Sequence, residues 1–174
     1  RELLAGLDID YRVTALPEVD ESYPDTLSGE EIPLYISQEK AAAYRRFMKD
    51  NTLLITADTI VWLDGKVYGK PRDIADAKAM LQALSGKTHT VITGVTLTSL
   101  QKQISFAVST EVTFAALGDD EIDYYVETYR PLDKAGAYGV QEWIGYIGVT
   151  GLKGSYYNVM GLPIQRLYTE LKKF

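Results

Sequence analysis

The 174-residue sequence has no cysteine and a single histidine, His89. Without cysteine there can be no disulfide, no thiol nucleophile and no thiolate metal site. With one histidine, any Ser-His-Asp relay or histidine-rich metal centre would depend on His89 alone. That residue lies in a β-pattern, where a structural role is expected. Positive charge is also scarce. The 18 Lys and Arg stand against 24 Asp and Glu, a net charge of −6, which disfavours nonspecific binding to nucleic acid. No apolar run approaches the roughly 18 residues of a membrane span. No low-complexity tract points to disorder. These absences lead to an expected cytoplasmic location. What is present is 46% hydrophobic and 24% charged residues. That is enough for one globular domain with a real core, or two small lobes sharing one.

The chain opens on RELLAGLDIDYRV, which reads as the end of a helix closed by Gly6 and followed by a strand from Ile9 to Val13. An upstream segment is therefore expected. Residues 17–33 are acidic and turn-rich, as a loop should be. A helix fits Leu34 to Asp50. At about 100° per residue, Ile36, Ala43 and Phe47 share one stripe, and Lys40 falls on it. This lysine either snorkels at the stripe's edge or aims a cation into a cleft. Residues 53–63 are β-branched and apolar, as in a buried strand, and Asp64-Gly65 signals a hairpin. Asp73 caps a helix with Ile74, Ala77, Leu81 and Leu84 inward, stopped at Gly86. Two alternating strands around Val91–Leu97 and Ile104–Phe114 form a long hairpin. Asp119 caps a helix with Ile122, Tyr125, Val126 and Tyr129 inward, stopped at Pro131. A glycine-rich aromatic stretch covers 136–161, and a last helix carries Ile164, Leu167, Tyr168 and Leu171. The pattern predicts an α/β fold of mixed α+β type.

Two motifs that suggest chemistry fail on spacing. SGKTHT at 85–90 resembles the tail of a phosphate-binding loop, but Leu81 stands where that loop needs glycine, and a helix rather than a strand precedes it. The glycines at 145, 148, 151 and 154 do not match a dinucleotide fingerprint. Asp58 is different. It follows the apolar run LLIT, and a carboxylate in such a run either caps a turn or works at a site. Lys70 returns in the next loop, between Gly69 and Pro71, on a backbone that proline keeps extended. One carboxylate with Lys40 and Lys70 suits a polyanion accompanied by a divalent metal. Asp20 and Glu21 of the acidic loop could add a metal ligand. Gln141 offers the donor and acceptor that match the edge of a uracil or thymine base. Tyr138 either stacks on a base or packs in the core.

RELLAGL, EKA at 39–41, ADTIV at 57–61, GKPRD at 69–73, LSGKTHTVITGV at 84–95, DKAGAYGVQ at 133–141 and GSYYNVMGLP at 154–163 occur in one order along the chain. In this set and order they resemble the Maf proteins, nucleoside triphosphate pyrophosphatases named for an effect on septum formation. The resemblance implies a fold like that of the inosine-triphosphate pyrophosphatases: a mixed twisted sheet with flanking helices and a central cleft, in a single domain over 1–174. It implies hydrolysis of a nucleoside triphosphate to the monophosphate and pyrophosphate, dependent on Mg²⁺ or Mn²⁺. By motif position, Asp58 is the catalytic aspartate; the reading of the residues themselves adds Asp58 and Glu21 as the expected metal ligands. Lys40 and Lys70 bind phosphate. Thr59 and Gln141 are specificity positions of the branch acting on dTTP and UTP, and modified pyrimidine nucleotides are further substrates in a housecleaning role. A homodimer is implied, with no nucleic-acid or membrane partner. The alternatives are a nucleotide-binding regulator of cell division without turnover, and a pyrophosphatase for purine or noncanonical nucleotides. Family members also carry a strand and a Ser-x-Ser-Pro-Arg-Arg loop just ahead of the ELL motif. That strand and loop are expected upstream of Arg1.

Overall fold

The computed structural model describes residues 2–15 and 18–174. A sheet of five strands has the order β2-β1-β3-β4-β5. The strands are β1 (Leu54–Leu63), β2 (Lys66–Tyr68), β3 (Thr88–Thr98), β4 (Gln103–Phe114) and β5 (Val149–Lys153). The hairpin expected at Asp64-Gly65 pairs Val61 with Tyr68 and Leu63 with Lys66. Both turn residues have positive φ, 51° and 77°, the conformation that tight hairpin turns demand. Side-chain pairs fix the inner register. Thr59 meets Thr93 and Thr56 reaches Thr96, so β1 and β3 run antiparallel. Thr96 meets Ser105 and Thr88 meets Thr113, which makes β3 and β4 antiparallel too. β5 pairs antiparallel with β4, with a register shift between Thr113 and Phe114.

The helices are α1 (Glu2–Ala5), α2 (Glu31–Tyr44), α3 (Ile74–Leu84), α4 (Asp119–Tyr129), α5 (Trp143–Gly148), α6 (Tyr156–Met160) and α7 (Ile164–Lys173). α3 starts where its cap dictates, because the Asp73 carboxylate accepts from the Asp76 N–H at 2.8 Å. Ala77, Leu81 and Leu84 face inward, fully buried, and each leucine contributes about 2–3 kcal/mol by leaving water. α4 begins one residue earlier than its sequence signal, which made Asp119 the cap. Gly118 is the cap, and Glu121 reaches back to the Gly118 N–H at 2.8 Å.

Two expectations need correction. Ile9–Val13 forms no strand. Ile9, Tyr11 and Val13 instead line a cavity of about 770 Å³ beside Leu54–Ala57; alternation supplies a face, but a strand also needs a ladder partner. The stripe projected for α2 is also misplaced. After Tyr44 the chain tightens into a 3₁₀ turn, Arg45–Phe47, so the 100° step no longer holds. Phe47 is exposed, and the buried face is Ile32, Pro33, Ile36, Ser37, Ala41 and Tyr44. The stretch 136–161 also contains α5, β5 and α6, none of which periodicity announced.

The chain divides into two compact units. The first is Arg1–Thr59, Thr93–Val108 and Gly161–Phe174. Its core gathers Val95, Leu97, Phe106 and Leu167, with Ile55, Ala57 and Ile164 packed against them. The second is Ile60–Ile92 and Ser109–Met160, with a core built on Val61, Leu81, Leu84, Phe114, Ile122, Tyr125, Val126 and Ile144.

His89 belongs to the second unit and is structural, as its strand position suggests. It is 1% exposed, and its Nε2 lies 2.6 Å from the Tyr138 hydroxyl. Phe114 and Tyr138 meet its ring edge-on at 5.0 and 5.4 Å. Tyr138 is thus a core residue, and the base-stacking option for it falls. Burial pushes the His89 pKa down to about 4 from 6.5. The folded state prefers the neutral ring, so stability is full above pH 6.5 and declines as the pH falls toward 4, where the unfolded chain binds a proton that the folded chain refuses. The loss from this residue should reach about 3 kcal/mol by pH 4. Urea titrations at pH 7 and pH 4 should therefore show a larger acid loss for the native chain than for His89→Gln. Equal losses would mean that His89 is not held neutral.

Candidate active site

α2 and β1 present the first group of site residues. Lys40 sits at the edge of the buried face of α2, and its side chain is 15% exposed. An ammonium carries three N–H donors, and three oxygens surround this one. They are the Ala57 carbonyl at 3.1 Å, Asp58 Oδ1 at 3.4 Å and Glu21 Oε1 at 3.4 Å. The Asp58 side chain is 12% exposed, and its place in β1 fixes its backbone. Glu21, half exposed, arrives from the acidic loop. Asp20, its neighbour, serves the loop instead. It accepts from the Ser22 N–H at 2.9 Å, and that bond holds its carboxyl below the usual range.

The position of α2 follows from small residues beneath it. A Cβ at Gly94 of β3 would lie 2.4 Å from the Pro33 carbonyl carbon, so the first turn of α2 rests directly on strand backbone. Further along, the Ser37 hydroxyl meets Thr96 Oγ1 at 2.7 Å and the Ser37 carbonyl accepts from Thr56 at 2.7 Å. Helix and strand are thereby locked in the register that places Lys40 against Asp58.

Thr59, next along β1, is already engaged. Its hydroxyl lies 2.8 Å from Thr93 Oγ1 and donates to the Gly161 carbonyl at 3.3 Å. Neither Thr93, fully buried, nor Gly161 was marked by any sequence pattern as a partner of Thr59. The cross-strand register alone reveals the first, and chain return after α6 the second.

Lys70 and Gln141 belong to the second unit, and both are exposed. Their two motifs are stitched together, because the Gly69 carbonyl accepts from the Gly136 N–H at 3.1 Å. Gly136 must be glycine there. Its φ is 69°, and a Cβ would stand 2.7 Å from Val61 Cγ2. Pro71, beside Lys70, is buried and anchors the loop.

Among the described residues no group of three or more His, Cys, Asp or Glu could hold a metal ion. Two carboxylates, Asp58 and Glu21, share Lys40. That set fits a Mg²⁺-type ion, which is commonly held by one or two carboxylates together with substrate phosphates and water. It does not make a closed cage of its own. No helix among the described residues is long and apolar enough to cross a membrane.

A family model described as Maf-like protein matches residues 1–174. A protein of Phocaeicola vulgatus named dTTP/UTP pyrophosphatase is 66% identical over 173 residues, 99% of this chain and 90% of that protein. A protein of the same name from Bacteroides fragilis is 62% identical over 99% of this chain and 90% of its own length. Another, from Flavobacterium psychrophilum, is 47% identical over 98% of this chain and 87% of its own length.

Proposed function

The chain belongs to the Maf-like protein family, and on that premise we propose that it hydrolyses dTTP and UTP to the nucleoside monophosphate and pyrophosphate. The observation that carries the reading is the Asp58–Lys40–Glu21 cluster, in which one carboxylate from β1 and one from the acidic loop meet a single ammonium of α2. The shared name of relatives 47–66% identical to the chain supports the substrate class.

In the reaction a water oxygen attacks the α-phosphorus, and the bond from that phosphorus to the bridging α–β oxygen breaks. Pyrophosphate leaves with the electron pair. Asp58 orients the water and takes its proton. Lys40 turns N–H donors from carboxylate to phosphate oxygen, and Lys70 adds a second point charge. Gln141 meets the carbonyl and N–H edge of uracil or thymine. A divalent ion, held by Asp58 and Glu21 when bound, supplies Lewis-acid polarisation and charge neutralisation at the phosphates. The same reading gives a homodimer acting on free nucleotide in the cytoplasm.

Pyrophosphate release from dTTP, UTP, CTP, ATP, GTP and 7-methyl-GTP, with Mg²⁺ or Mn²⁺, tests this directly. Turnover confined to dTTP and UTP is the expected result. A preference for purines would replace the substrate class, and nucleotide binding without release of pyrophosphate would leave a regulator in place of an enzyme.

A further inference from the structure

Tyr125 is fully buried on α4, stacked on Tyr129 with centroids 5.1 Å apart. Its hydroxyl donates to Glu142 Oε1 at 2.7 Å and accepts from the Gly139 N–H at 3.0 Å. Those two partners are the first and last residues of one tight turn, which the Glu142 N–H closes onto the Gly139 carbonyl at 3.0 Å. Gln141 is the third residue of that turn, with its side chain in solvent. A single buried hydroxyl thus grips both ends of the turn that presents Gln141.

The turn has little room to slide. A Cβ on Gly139 would stand 2.7 Å from Glu142 Oε1, and one on Gly145 would overlap the Val140 carbonyl oxygen at 1.8 Å. Burial, and then the bond to Glu142, pushes the Tyr125 pKa well above its ordinary value, so the hydroxyl stays a donor across the working pH range.

An amide is an ambiguous reader. It matches the N–H and carbonyl of uracil, and, turned over and shifted, the ring nitrogen and amine of cytosine. Discrimination requires that the reach and tilt of the amide be set before the base arrives. Resting on the reading of Gln141 as the base-recognising residue, the geometry points to Tyr125 and Glu142 as positioning residues that set uracil-over-cytosine selection.

The test compares KM for UTP with Ki for CTP in four variants: Tyr125→Phe, Glu142→Ala, Glu142→Gln and Gln141→Ala. Tyr125→Phe and Glu142→Ala should each shrink the preference for UTP about tenfold through KM, with kcat on UTP within about twofold. Glu142→Gln retains an acceptor for the phenol and should keep the preference. A merely structural role would weaken both nucleotides together and leave their ratio unchanged, which would overturn the inference. Loss of preference in Gln141→Ala with none in Tyr125→Phe or Glu142→Ala would also overturn it, while sparing the reading of Gln141. An unchanged ratio in Gln141→Ala would remove that reading and this inference with it. If Tyr125→Phe fails to fold, Glu142→Ala, at a partly exposed position, decides alone.

Discussion

Asp58→Asn should lower kcat for dTTP and UTP by about 10³-fold and leave the protein folded. The substitution preserves shape. The amide oxygen can still accept from Lys40, which sits 3.4 Å from Asp58 Oδ1 in the native protein. Lys40 also keeps the Ala57 carbonyl and Glu21, so no buried cation is stranded. The stability cost should therefore stay below about 2 kcal/mol. An amide can neither take a proton from water nor act as an anionic ligand, so the chemistry fails where the packing does not. Pyrophosphate release and a thermal melt on the same sample separate the two effects. Turnover above a tenth of the native rate would take Asp58 out of the catalytic role.

Parts of this molecule are legible because their causes are local. Asp73 and Asp76 declare the start of α3 within four residues, and the structure shows that bond. The β3–β4 hairpin is written in alternation, and the Asp64-Gly65 turn in residue types that tolerate positive φ. Asp58 stands out because a carboxylate in an apolar run needs a partner. The identity of that partner is less legible. Lys40 falls on a projected stripe whose far end, Phe47, lies on the solvent side; the lysine faces Asp58 because Gly94 and Ser37 seat α2, not because of the helical period. Glu21 reaches Lys40 from a loop with no periodicity at all. The stretch from 143 to 160 is not legible in the sequence because its glycines answer to distant neighbours. Gly148 abuts Leu117, and Gly154, at φ 129°, abuts Thr110. The Tyr125 grip on the Gln141 turn is likewise a contact between residues 14 and 17 apart, whose spacing follows no element's repeat.

Gly94→Ala should carry a large stability effect, about 3 kcal/mol or more, at a residue outside the chemistry. The added methyl would meet the Pro33 carbonyl carbon at 2.4 Å, and the Leu34 nitrogen and Pro33 oxygen at 2.5 Å. All three are backbone atoms, so no rotamer change relieves the clash, and the first turn of α2 has to move off β3. That motion would pull on Ser37, hydrogen-bonded to Thr96 and Thr56, and through the same helix on Lys40. A displacement of about 1 Å at a charged group in a site is enough to cost on the order of 10²-fold in rate. Stability and turnover should thus fall together, although Gly94 is not among the residues assigned to bind substrate. Gly151→Ala is the matched control, since its Cβ would find Thr113 no closer than 3.8 Å, and it should change stability by less than about 1 kcal/mol. Urea unfolding with kcat for UTP on both variants decides the matter. If Gly94→Ala matched Gly151→Ala in both measurements, α2 would not rest on β3 as closely as the structure has it, and the seating of Lys40 would need another cause.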